Sequence, residues 1–126
     1  MPSVEALCLA QLAIVSLAEN DWELADERSR RAAALLERNE LTQHPSSVLV
    51  FAVSALVRAQ MGRADEAKEL LRLGTRLLRS SDGYAAWYLA EIRIMLARAA
   101  ARLTDMARAR TLLSEASRFT RRVPWS

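Results

Sequence analysis

Residues 4–18 are apolar nearly all the way round, interrupted only by Glu5, Gln11 and Ser16, whereas residues 22–38 carry acids early and bases late. The first pattern predicts a helix over 3–18 with Ser3 as its N-cap and neighbours on most sides. The second predicts a helix whose charges complement its dipole, entered through a turn at Asn20 and Asp21. A loop at 39–44 leads to a third helix with Pro45 in its first turn. It ends at Met61, where Gly62 supplies a left-handed stop. A fourth helix is expected over 64–79. The break Ser80, Ser81, Asp82 and Gly83 caps a fifth over 84–103. Thr104 and Asp105 turn into a sixth, which ends near Arg122 before Pro124.

These six stretches share a period. Small residues recur every 42 positions in three columns: Ala13, Ala55 and Ala97; Ala25, Ala67 and Ala109; Ala32, Gly74 and Ala116. Turn residues keep the same step at Asn20, Gly62 and Thr104, and large apolar residues keep it at Leu35, Leu77 and Phe119. Closely crossing helices need small side chains where their backbones meet. Positions seven apart, such as Ala25 and Ala32, fall on one helix face. The expected fold is therefore all-α, a right-handed superhelical array of three helical hairpins, at about 3–39, 45–80 and 84–122, in one domain over 1–126.

The small residues at 13/25/32, 55/67/74 and 97/109/116, with a turn residue at 20, 62 and 104, resemble tetratricopeptide repeats. The repeat is longer than that family's, and Leu9, Phe51 and Arg93 stand where its signature aromatic would be. The phrases Asn20-Asp21-Trp22-Glu23-Leu24-Ala25, His44-Pro45-Ser46-Ser47, Met61-Gly62-Arg63-Ala64-Asp65-Glu66-Ala67 and Ala107-Arg108-Ala109-Arg110-Thr111-Leu112-Leu113 are similar to the repeat region of ATP-dependent bacterial transcription regulators of the MalT/LuxR type. The resemblance implies a sensor array that binds an inducer or a partner protein, flanked in the parent by a nucleotide-binding domain and a helix-turn-helix domain. The alternative is an independent scaffold of tetratricopeptide-like repeats.

Composition narrows this reading. Apolar residues make up 52% of the 126, aromatics 6%, and Gly and Pro three each, a profile suited to helices with short connections. No stretch is long and apolar enough to predict a membrane span. The single Cys8 leaves no internal disulfide and reads as a small core residue of a cytoplasmic protein. The net charge of +3 is unevenly spread. Residues 1–42 hold eight acids and four bases, and residues 85–126 hold three acids and eight bases. That gradient is read as an ordinary solvated surface or, alternatively, as favouring an acidic partner toward the C-terminal end.

No catalytic, cofactor or metal constellation is expected. The three glycines stand apart, so no phosphate loop is read, and one histidine cannot make a His-metal motif. His44, beside Pro45, reads as a loop residue, and Glu23, Asp26 and Glu27 read as a solvated face. The arginine runs at 28–31 and 118–122 lie late in helices, so direct nucleic-acid contact is not expected. The candidate ligand surface lies on the fifth helix. Glu91, Arg98 and Arg102 share a face there, with Ile94 and Met95 beside them, as a ligand site or as surface salt bridges, and Tyr84, Trp87 and Tyr88 either extend the groove or pack in the core and between repeats. The bare first helix predicts either a preceding repeat from a longer parent array or a homodimer made through Leu7 and Ile14, with internal core as the alternative place for those two residues.

Overall fold

The computed structural model of the chain describes residues 1–79 and 86–122, with only the backbone at 86–87 and 119–122. Among the described residues six helices follow one another: α1 (Pro2–Ala18), α2 (Trp22–Arg38), α3 (Ser47–Gln60), α4 (Ala64–Leu78), α5 (Ala86–Arg102) and α6 (Met106–Arg122). The fold is an all-α array of three helical hairpins. Each hairpin packs along its own length, and α3 also meets α1, α2 and α5.

The period is present in the backbone. Shifting α1 and α2 forward by two repeats lands on the bounds of α5 and α6. Asn20, Gly62 and Thr104 all adopt positive φ, at 60°, 79° and 63°. Around each, the next N–H reaches back five residues: Asp21 to the Ser16 carbonyl at 2.8 Å, Arg63 to Arg58 at 2.9 Å, and Asp105 to Ala100 at 2.8 Å. These bonds form the Schellman closure, which satisfies carbonyls orphaned at the end of a helix. All nine residues of the small columns are buried. A larger side chain there would push the paired helices apart. Leu77 is buried and Leu35 half-buried, while the side chain of Phe119 lies outside the described residues.

Helix starts depart from expectation in two places. α1 begins at Pro2, with Met1 rather than Ser3 in the cap position. Proline's fixed φ and missing N–H suit a first turn, where no N–H has a helical partner. α3 begins at Ser47, two residues beyond Pro45. The preceding residues form a separate turn, in which His44 Nδ1 accepts from the Ser46 N–H at 3.1 Å and Ser47 Oγ donates to the Thr42 carbonyl at 2.9 Å. His44 is thus the loop residue expected. The expected caps at 80–83 and the start of α5 at Tyr84 lie outside the described residues.

α3 carries the core. From Ser47 to Arg58 every residue is buried except Phe51, which is half-buried. Ala6, Ala10, Ala13 and Leu17 turn the inner face of α1 toward it. The outer face of α1 has no polar cover: Val4, Leu12 and Val15 are 49%, 44% and 49% exposed.

Candidate functional site: the face shared by α1 and α5

Four of the five residues expected to hold a ligand on α5 lie along one side of that helix. Met95 does not: it is only 7% exposed and belongs to the core. One step around a nearly apolar helix turned it inward. Of the remaining four, two are already engaged with the first hairpin. Glu91 Oε1 accepts a 2.6 Å hydrogen bond from Gln11 Nε2 of α1. The Arg102 guanidinium lies 6.0 Å from the centre of the Trp22 ring at the start of α2, near the outer limit of a cation–π contact. Ile94 and Arg98 are exposed between these two ties, and Arg98 Nη1 lies 3.9 Å from Met95 Sδ. α1 and α5 have no Cα atoms within 8 Å of each other, so side chains alone span the gap above α3.

The gap continues as a groove of about 500 Å³ along α1, lined by Leu7, Gln11, Val15 and Tyr88. The Tyr88 hydroxyl donates to the Pro45 carbonyl at 3.3 Å, which fixes the ring at the end of the groove. A second groove, of about 520 Å³, separates α1 from α2 and is lined by Leu9, Leu35, Arg31 and Arg38. Val4, Cys8 and Leu12 line both, so they form a ridge between two clefts. Cys8, expected in the core, is exposed on this ridge. The inward positions of α1 are instead Ala6, Ala10, Ala13 and Leu17. Leu7 and Ile14, expected to make a dimer contact, are half-buried and packed on the core; the exposed apolar atoms belong to Val4, Leu12 and Val15. Tyr84 and the Trp87 side chain lie outside the described residues.

The groove between α2 and α4, which shares Ala34 with the second groove, is polar. Asp26, expected on a solvated face, pairs with Arg58 from α3 and with Arg30 Nε at 3.0 Å. Arg58 also comes within 3.4 Å of Glu66 on α4, so one buried guanidinium ties α2, α3 and α4. Burial pulls the Arg58 guanidinium below its ordinary pKa, and the Asp26 carboxylate opposes that shift. Ser54 Oγ, buried in the same groove, has no hydrogen-bond partner among the described residues. Farther along, Arg93 on α5 is buried with its Nε 3.6 Å from Glu115 of α6. An arginine within an apolar helix gives no sequence signal of its partner, so neither tie was legible beforehand.

Among the described residues, no group of three or more His, Cys, Asp or Glu could hold a metal ion, and no helix is long and apolar enough to cross a membrane. The chain matches no family model, no curated protein and no solved structure.

Proposed function

We propose that the chain is a non-catalytic regulatory repeat module, of the kind MalT/LuxR-type transcription regulators carry, acting in the cytoplasm by binding a partner protein or small inducer on the face of α1. The observation that carries this reading is the exposed ridge of Val4, Cys8 and Leu12 with an open groove on either side. Contiguous apolar surface of this kind is costly in water and marks interaction sites. The sequence similarity supplies the regulatory context, and the repeat architecture suits binding more than turnover.

The reading frame around the gene tests the regulator assignment. A frame that runs upstream into an ATPase and downstream into a helix-turn-helix domain supports it. A start codon at residue 1 together with a stop after residue 126 would reject it in favour of an independent repeat scaffold. Within a regulator, Leu12→Glu should abolish the response to inducer or partner while DNA binding persists.

A further inference from the structure

The second and third hairpins enclose a site that does not depend on the α1 face. No Cα of α2 lies within 8 Å of α4, and none of α4 within 8 Å of α6, so two grooves open between successive outer helices. They are equivalent by the repeat. Ala33, Glu37, Glu66, Glu69 and Leu70 line the first, and the residues 42 positions later, Thr75, Arg79, Arg108, Thr111 and Leu112, line the second.

The equivalent positions differ in charge. Glu37 is matched by Arg79 and Glu66 by Arg108, while Thr111 stands in place of Glu69. The α2/α4 groove is lined by two arginines and four carboxylates, the α4/α6 groove by five arginines and two carboxylates. The two carboxylates are occupied: Glu115 lies beside Arg93, and Asp105 caps α6 through the Arg108 N–H at 3.2 Å and pairs with its guanidinium at 3.5 Å. Arg79, Arg110 and Arg118 line the same groove and have no carboxylate partner among the described residues. Beneath them Leu78 and Leu112 are buried.

We infer that the α4/α6 groove, of about 980 Å³, is a docking site for an acidic amphipathic helix of a partner protein. A helix laid between α4 and α6 places its carboxylates against Arg79 on one wall and Arg110 and Arg118 on the other, and its apolar stripe against the exposed Ala107 and the narrow edges that the buried Leu78 and Leu112 leave in the lining. Arginine suits this role because its planar fork can take a carboxylate through two parallel hydrogen bonds. A nucleic-acid backbone fits less well. Its phosphates would meet the same arginines, but it brings no apolar surface to the part of the lining formed by Ala107, Leu78 and Leu112.

The test is fluorescence anisotropy with the full chain and a labelled amphipathic helical peptide carrying glutamate on one face and leucine on the other. A lysine version of the peptide and a short DNA duplex serve as competing probes. The acidic peptide should bind saturably, and the lysine version should not. Replacing Arg79, Arg110 and Arg118 by serine should weaken binding about tenfold or more, whereas replacing Arg63, Lys68 and Arg76, exposed bases that line none of the grooves described, removes equal charge and should change it less than about twofold. Backbone amide shifts on titrating wild-type protein should map to α4 and α6, a readout that needs no variant. Equal losses in the two triple variants would overturn the site as a net-charge effect. Tighter binding of DNA than of the acidic peptide would overturn it in favour of a nucleic-acid surface. Absence of saturable peptide binding at ~1 mM, where the free energy is only about −4 kcal/mol, would also sink it.

Discussion

Gln11 of α1 and Glu91 of α5, separated by 80 positions, are joined by a hydrogen bond of 2.6 Å. The bond joins the first and third hairpins directly, although the repeat places a whole hairpin between them. A ligand on the α5 face therefore meets a carboxylate that already has a donor. The pair should couple energetically: a double-mutant cycle on Gln11→Ala and Glu91→Ala should give about 1–2 kcal/mol, the range for a hydrogen bond to a charged group that is only part-buried. Urea denaturation measures it, and a coupling indistinguishable from zero would mean that the two hairpins do not meet in solution.

The Asp26–Arg58 pair predicts an asymmetry. Asp26→Ala strands a buried guanidinium with only the exposed Glu66 near it, and should cost about 3 kcal/mol. Arg58→Met leaves Asp26 with Arg30 and fills much the same volume, so it should cost less than Asp26→Ala. Thermal melts of both variants decide the order. The reverse order would show that the pair is not held as described.

The N-cap column is incomplete. Asp21 accepts from the Leu24 N–H at 3.1 Å and Asp105 from the Arg108 N–H at 3.2 Å, but Arg63 occupies the matching place before α4 and cannot accept. Arg63→Asp should stabilise the protein by about 1 kcal/mol through the restored cap. It also removes a positive charge that acts on Arg58. A lower melting temperature than wild type would refute this.

Gly74 is the one member of its column without a side chain. A Cβ added there would meet Leu96 Cδ2 at 3.1 Å and Phe51 Cβ at 3.5 Å. Gly74→Ala gains about 1 kcal/mol of helix propensity and loses a similar amount as Leu96 shifts, so its stability should stay within about 0.5 kcal/mol of wild type. Gly74→Val should cost at least about 2 kcal/mol, because the branched side chain cannot be accommodated between α3, α4 and α5. Chemical denaturation of both variants reads the difference.

The apolar face of α1 separates surface from core. Leu12→Glu with Val15→Glu should leave the melting temperature nearly unchanged and shift any dimer to monomer in sedimentation analysis. Ile14→Glu should unfold the chain, since that side chain packs on the core. A wild-type chain monomeric at ~100 µM would rule out the homodimer expected from the sequence, because a contact useful at cellular concentration has a Kd well below that.

The columns of small and turn residues were legible because they meet a requirement that no side chain elsewhere can meet. Ala25, Ala67 and Ala109 must let two backbones approach, and Asn20, Gly62 and Thr104 must reverse the chain at positive φ. The direction in which α1 and α5 face was not legible. Both helices are apolar on most sides, so periodicity alone does not separate Cys8, which is exposed, from Met95, which is buried. Arg58 and Arg93 were missed for a related reason: their partners lie on other helices, at distances in sequence that no short pattern spans.

An array whose repeats met only at their edges would fray from either end, one hairpin at a time. The burial of α3 removes that route. Its side chains are covered from one flank by α1 and α2 and from the other by α4 and α5, so detaching either terminal hairpin uncovers the same central helix. Loss of any one hairpin therefore exposes apolar surface that the others need covered, and heat or urea should melt the chain in a single transition at every probe. A truncation that removes one hairpin would then yield an unfolded chain rather than a smaller array.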